Sequence, residues 1–417
     1  MKRIYKITQV ALFGALVVGC TDLDTAPLSS TITADQKEDV VAADPSKIEA
    51  SVTAITANFT QYAKIYTEDD NVHSDIGYPT IMLATDSRTT DFVADITGYN
   101  WYSNSADYSD CLSTSTATIE FWGTLYNQIY TANAVIGTVD NETSDPTLQF
   151  YLAQALAIRA FDYFTLVQLY QFNYKGHEDA PGVPIITPEN AEEAAANGCA
   201  RSTVKETYEF ILGDLNKAIE LLANTKKTRS DKRYVSLDVA YGIRARVHLT
   251  MHNYADALKD AEAALASTSS VPYSSAAVSK PTFIDIEDAS WMWGILITDK
   301  DRVSTTGICN FPSHMGSLNY GYASVGGWRR ISPKLYNQIP ESDVRKGWFL
   351  DDTGVSVNLP AAAQAYITKK GAPVYTQVKY GPMNDEWGSN NNATDVILMR
   401  VEAVSYTHLR AHETELH

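Results

Sequence analysis

Two stretches of the chain set several aromatic rings among amides and guanidinium groups. Gly98-Tyr-Asn-Trp-Tyr-Ser-Asn104 packs three aromatics beside Asn100 and Asn104, and Asn319 to Arg330 carries Tyr320, Tyr322 and Trp328 among Gly and Ser, with Arg329 and Arg330 adjacent. A sugar offers a flat apolar C–H face and a rim of hydroxyls, so aromatic faces flanked by Asn, Asp, Arg or Gln supply the matching chemistry. The bland alternative is that these rings pack their own loops onto the rest of the protein. A third reactive position is Cys20. It follows Gly19 at the end of the apolar run Val10-Ala-Leu-Phe-Gly-Ala-Leu-Val-Val18, which Lys2, Arg3 and Lys6 precede. A charged start, a short apolar stretch and a small residue before Cys read as a lipoprotein signal peptide, with lipidation expected on the Cys20 thiol. The run is too short to span a bilayer, whereas acyl chains on Cys20, each buried CH₂ contributing about 0.8 kcal/mol, suffice for anchoring.

The usual catalytic constellations fail on inspection. Tyr322-Ala-Ser-Val-Gly326 lacks the first Gly of a nucleophile elbow, no phosphate-cradling Gly loop exists, and His412-Glu-Thr-Glu-Leu-His417 is one residue too long for a zinc-protease helix. Among 50 acidic residues a pair of carboxylates at glycosidase spacing is the chance expectation. The sequence therefore reads as that of a binding protein and not an enzyme, with no cofactor and no metal. The net charge of −17 argues against nucleic acid and against docking on anionic lipid, and favours neutral or cationic ligands. Cys111, Cys199 and Cys309 have no metal or redox spacing and read as buried thiols or one optional disulfide.

The elements that must position these residues are mainly α-helical. After the signal peptide (1–19), residues 20–45 have little apolar periodicity and read as a tether. Helical patterning begins near Ile48. Glu120 to Ile136 puts Phe121, Leu125, Ile129, Tyr130 and Asn133 near one face, and Leu152 to Tyr170 is apolar almost all round, as in a helix buried among neighbours. Thr203-Val-Lys-Glu206 is a capping box that opens a helix with an apolar stripe through Tyr208, Ile211, Leu215 and Ile219. Ser236 caps another, which turns at His252-Asn253 into a partner from Tyr254 to about Ala266. Tyr241, Ala245, His248, Ala257, Ala261 and Ala264 in this hairpin follow tetratricopeptide spacing. Long stretches rich in Gly, Pro, Ser and aromatics (68–118, 171–200 and 271–394) read as ordered, functional loops. Trp122, Trp291 and Trp293 read as core, the last two in a buried strand.

At this point several motifs, in order, resemble the SusD/RagB family of surface lipoproteins. They are Cys20-Thr-Asp-Leu-Asp, Phe121-Trp-x-x-Leu-Tyr-x-x-Ile-x-x-Ala-Asn133 and Arg159-Ala-Phe-x-Tyr-Phe-x-Leu-Val-x-Leu-Tyr170, then Gly182-Val-Pro-Ile, Arg201-Ser-Thr-Val-x-Glu-x-Tyr-x-x-Ile-x-x-Asp-Leu-x-x-Ala218, Ala245-Arg-Val-x-Leu249, Ser342-Asp-x-Arg-Lys346 and Asp395-Val-Ile-Leu-Met-Arg400. The resemblance implies a mainly α fold, a tetratricopeptide-like helical-hairpin scaffold (46–270) with a loop-rich ligand-binding half (271–403). It implies an outer-membrane, lipid-anchored, surface-exposed protein that presents an oligosaccharide or polysaccharide to a TonB-dependent, SusC-like transporter. Ligand-binding roles carry over to Arg88, Trp101, Tyr102, Asn104, Tyr320, Tyr322 and Trp328. The alternatives are a peptide-binding member of the same family and a periplasmic tetratricopeptide-type scaffold. The family continues past the Leu-Met-Arg400 motif into a long Ala- and Glu-rich helix. Here residues 404–417 read instead as translated adapter sequence on a truncated product, in which case His408, His412 and His417 carry no biology.

Overall fold

The computed structural model describes residues 34–62, 72–89, 92–95 and 97–415. The signal peptide and Cys20 lie outside the described residues. Residues 1–47 form a unit of their own, whose described part holds helix α1 (Ala34–Ala43). This part of the expected tether is thus helical. Its Ala, Gln, Lys and Glu are good helix formers even without an apolar stripe, which is why periodicity missed it.

From Ile48 onward the chain is one unit. Its principal helices are α2 (Glu49–Ala57), α3 (Tyr78–Ser87), α4 (Thr116–Ile136), α5 (Pro146–Tyr170), α6 (Val204–Asn224), α7 (Leu237–Thr250), α8 (Tyr254–Ser267), α9 (Ala361–Lys369) and α10 (Val401–Glu415). Among the described residues four short strands join them: β1 (Val93–Ala94), β2 (Trp291–Ile295), β3 (Arg329–Arg330) and β4 (Val396–Arg400), paired antiparallel as β1 with β3 and β2 with β4. The protein is mainly α and built on helical hairpins, as expected.

Helix α5 is the centre of the scaffold. Pro146 opens it without wasting an amide donor, and Asp145 caps it by accepting from the Thr147 and Leu148 amides at 2.8 and 3.0 Å. From Phe150 to Phe164 every side chain is buried, because α4 and α6 pack along it and α2 adds a further contact. The capping box of α6 is present: the Glu206 amide donates to Thr203 Oγ1 at 3.1 Å and the Thr203 amide to Glu206 Oε2 at 2.7 Å. Three motif residues meet inside. Arg159 donates Nε and Nη2 to the two Asp214 carboxylate oxygens at 2.7 and 2.8 Å and Nη1 to Asn133 Oδ1 at 2.7 Å, clamping α4, α5 and α6. Their motif positions thus serve the scaffold.

In the α7–α8 hairpin Ala245, Ala257, Ala261 and Ala264 are fully buried, and the turn carries His252 at φ +64°. Helix α10 lies against α8 and buries Val401, Val404, Thr407 and Ala411 at spacings of three and four. The helix runs through residue 404 without a break. Two expectations need correction. Tyr130 points outward, 72% exposed, although Phe121, Leu125, Ile129 and Asn133 are buried as expected. Of the three described thiols, all free, Cys309 is buried but Cys111 is exposed.

The long loops contain more regular structure than their composition predicted, including α3 and α9. They also have a core. Leu318, Trp328, Leu350, Ala363, Ile367 and Val378 form one apolar cluster, with Tyr366 and Trp387 packed on it. Trp291 and Trp293 are fully buried on β2, as their apolar run implied, whereas Trp122 is half-buried.

Candidate functional site

The two aromatic stretches meet because the β1–β3 ribbon ties their ends together, Val93 pairing with Arg330 and Ala94 with Arg329. Arg329 fixes the junction from within. Fully buried, it donates Nε to the His314 carbonyl and Nη1 to Asn100 Oδ1, both at 2.7 Å, and its guanidinium lies 5.1 Å from the Phe92 ring centroid. Burial pulls its pKa down to about 10, so it keeps its charge. On the outer side the ring of Tyr99 rests on Gly326 and its backbone carbonyl lies against Gly327. A Cβ at Gly326, whose φ is +146°, would stand 2.8 Å from Tyr99 Cδ2, and one at Gly327 would stand 2.7 Å from the Tyr99 carbonyl oxygen. Only glycine allows both the backbone angle and the close approach.

Above this junction four rings form a contiguous face. Tyr322 lies 6.3 Å from Tyr99 and 6.0 Å from Trp101 between centroids, and its inner side stacks on buried His314 at 5.0 Å. Trp101 stacks on His73 at 5.0 Å, and the Tyr322 hydroxyl is hydrogen-bonded to His73 Nδ1. Desolvation lowers the pKa of His73 and drives that of His314 down to about 3, so both imidazoles are neutral at physiological pH. The His314 ring nitrogen Nε2 also bonds the His73 carbonyl at 2.9 Å, which ties the helical turn at 311–315 to the loop before α3. The rings are therefore held from behind, with Tyr99 half exposed and Trp101 and Tyr322 partly so.

The seven expected ligand-binding residues divide. Trp101 and Tyr322 are brought together on this face. Tyr320 is 42% exposed beside it, at an open cavity of about 890 Å³ lined also by Asp299, Thr306, Asn390 and Asn391. Asn104 is exposed on the far side of Trp101. The other three are corrections. Tyr102 is buried, its ring 5.3 Å from His314 and its hydroxyl donating to the Ser74 carbonyl at 3.3 Å. Trp328 belongs to the apolar loop core. Arg88 is spent on Asp110, at 3.0 Å, and lies 6.0 Å from the Phe121 ring centroid. In a stretch dense with aromatics, the chain alternates between rings that face out and rings that fill the core, and composition cannot assign the side. Tyr99 and His73 were missed; Tyr99 stood inside the quoted motif, while nothing local marks His73.

Behind Trp101 a cavity of about 410 Å³ opens between the 101–117 loop and the start of α4. Its walls include Trp101, Asn104, Ser109, Asp110, Thr116 and Glu120. Glu120 is 2% exposed and its Oε1 has no hydrogen-bond partner. Burial, with the Asp75 charge adding to it, pushes its pKa up to about 8. Asp75 itself, fully buried, accepts from Gln61 Nε2 at 2.6 Å. A signal for this polar seam did exist: Glu120, Thr124 and Gln128 recur every four residues on the buried face of α4. Among the described residues no group of three or more His, Cys, Asp or Glu is arranged to hold a metal ion, and no helix is long and apolar enough to cross a membrane.

Comparison with known proteins gives a consistent answer. The SusD-like family model, described as starch-binding associating with outer membrane, matches residues 35–249. A SusD-like protein P2 from Formosa agariphila is 25% identical over 274 residues, covering 64% of this chain and 49% of its own, so the chain spans about half the length of that curated relative. Among solved structures, a SusD-like carbohydrate binding protein from Bacteroides vulgatus superposes with a TM-score of 0.71 at 22% identity, over 89% of this chain and 71% of that one. Surface glycan-binding protein A from Bacteroides thetaiotaomicron, in complex with laminarihexaose, gives a TM-score of 0.59 at 17% identity, over 88% of this chain and 78% of that one.

Proposed function

The chain belongs to the SusD-like family, and from that premise we propose that it is a non-catalytic protein that captures an oligosaccharide on the face formed by Tyr99, Trp101 and Tyr322. The observation that carries this reading is the convergence of rings from two distant loops, Trp101 and Tyr322 at 6.0 Å, on a partly exposed surface braced by buried His314 and Arg329. A pyranose stacks its C–H face on such rings, and Tyr320 stands beside them with its hydroxyl group. The same premise supports delivery of the ligand to a SusC-like, TonB-dependent transporter, with the protein held at the outer membrane by lipid on Cys20. Weak, multi-ring capture suits that task. Each stacking contact contributes about 1 kcal/mol, so affinity comes from avidity along a polymer and not from one pocket.

Affinity electrophoresis against a panel of soluble β- and α-glucans tests the face directly. Tyr99→Ala and Tyr322→Ala each lower affinity for the retained glycan by roughly fivefold, and the double variant by roughly 30-fold, at about 1 kcal/mol per ring. Wild-type mobility in the double variant would remove the assignment.

A further inference from the structure

The cavity beside Tyr320 is walled by three segments that lie far apart in the chain: 299–307, Tyr320 itself and 388–391. Asn392, completely buried, ties them together. Its Nδ2 donates to the Gly307 carbonyl at 2.8 Å and to the Tyr320 carbonyl at 2.9 Å, and the Tyr320 amide donates to the Ser389 carbonyl at 3.3 Å. The walls are therefore bonded to one another from behind, and a ligand meets them already assembled. Thr305 and Thr306 likewise spend their hydroxyls on the Arg302 and Val303 carbonyls, at 3.2 and 3.1 Å. The side chains of Tyr320, Asp299, Asn390 and Asn391 are in the opposite state. All four residues are exposed at the cavity, and their hydroxyl, carboxylate and amide groups make no hydrogen bond within the described residues. In Ser389-Asn-Asn-Asn392 the last amide builds the wall and the two before it are displayed on it. An aromatic ring bordered by two primary amides, each both donor and acceptor, matches the C–H face and hydroxyl rim of a sugar. At about 890 Å³ the cavity falls within the size range of small-molecule sites. Only Gly321 separates Tyr320 from Tyr322, so their Cα atoms are at most about 7 Å apart and the cavity begins where the aromatic face ends.

We propose that this cavity is a second sugar subsite, and that the preferred ligand is a neutral oligosaccharide whose chain runs from Trp101 and Tyr322 across Tyr320 to the amides of Asn390 and Asn391. The inference rests on the reading of the aromatic face as a glycan platform and deepens it, because it makes chain length a property that the protein selects. A short oligomer covers the face alone. A longer one adds the Tyr320 ring and the two displayed amides, and Asn392 has already ordered the walls that carry them. Sugar hydroxyls that bond these amides exchange water partners for protein partners, so each contact adds a modest gain and the selection is graded with length.

Isothermal titration of the full chain with the trimer and the hexamer of α-1,4-, β-1,3- and β-1,4-linked glucose tests this. For the linkage that binds, the double variant Asn390→Ala/Asn391→Ala lowers hexamer affinity about tenfold, the combined effect of two modest hydrogen bonds, and leaves trimer affinity within about twofold of wild type. Tyr320→Ala lowers hexamer affinity about fivefold and again spares the trimer, whereas Tyr322→Ala weakens both. Trimer binding reports that the Asn390/Asn391 and Tyr320 variants are folded. Unchanged hexamer affinity in the amide variant, or an equal loss for trimer and hexamer, would overturn the subsite while leaving the glycan platform standing. Failure of the wild type to bind any of the oligomers would overturn the platform and the subsite together. A serine-rich tetrapeptide whose affinity falls in the amide variant, when that of no oligosaccharide does, would assign the cavity to peptides instead.

Discussion

Two buried arginines set the helical scaffold apart from the loop region. Arg159 sits among α4, α5 and α6, meets the Asp214 carboxylate through two bonds and gives a third to Asn133. Arg329 sits beneath the aromatic face, meets no carboxylate among the hydrogen bonds it makes, and leaves Nη2 without a partner. The helical region closes its strongest electrostatic demand internally, whereas the loop region holds its charge with neutral acceptors and aromatic rings, and carries further unsatisfied atoms at Trp101, His314 and Asn319. The difference teaches that the first region is built for stability and the second is built short of it. The scaffold has unsatisfied atoms of its own, at Glu120, Gln128, Asp162 and His248; both Asp162 oxygens lack partners, and burial raises its pKa.

The largest effect that would sharpen this contrast is at the clamp. Arg159→Ala strands Asp214, buried and unpaired, and empties the space between three helices, at a cost of about 4–5 kcal/mol. Urea denaturation followed by far-ultraviolet circular dichroism reads it out. A loss under 1 kcal/mol would show that the clamp is not what closes the scaffold.

Trp328→Ala comes next. The sequence placed Trp328 at the ligand, and the structure places it among Leu318, Leu350 and Val378. Removing it leaves a void in the loop core and costs about 3–4 kcal/mol, with glycan affinity falling only as the folded fraction falls. If instead stability is unchanged and affinity collapses, Trp328 faces the ligand and the division between core and face is wrong.

How far the sequence alone could reach follows the same divide. In the scaffold, helix period, the Thr203 capping box and the alanine spacing of α7 and α8 are local signals with local causes, and the structure matches them. Even there Tyr130 was misplaced, because one residue's rotation about the helix axis exceeds what a stripe can resolve. In the loops, the composition marked the two stretches whose ends the structure brings together. It could not say that β1 and β3 would join them, nor which of Tyr99, Tyr102 and Trp328 turns outward, since those choices depend on tertiary partners such as Arg329 and Gly326 that lie far away in the chain. His73 and Glu120 act through neighbours brought in from other segments and left, at most, the four-residue polar repeat on α4 as a trace.

The smallest of the expected effects probes the loop region's weaker closure through pH. His314 is completely buried between Tyr322 and Tyr102, beside Arg329, and its pKa is lowered to about 3, first by desolvation and then by that guanidinium. An unfolded histidine titrates near 6.5, so the folded state resists a proton that the unfolded state accepts. The resulting stability is complete above pH 6.5 and is lost progressively as pH falls from 6.5 towards 3. At pH 5 the gap is about 1.5 units, or roughly 2 kcal/mol. His314→Gln retains a donor for the His73 carbonyl without the titration. Its stability, measured by denaturant melts at pH 7.5 and 5.0, therefore falls by about 2 kcal/mol less than that of the unaltered protein. His73 and His248 titrate in both chains and cancel. The Arg159–Asp214 clamp is the same in both chains and cancels as well, and parallel pH profiles for the two proteins would mean that the aromatic face is closed as firmly as the scaffold.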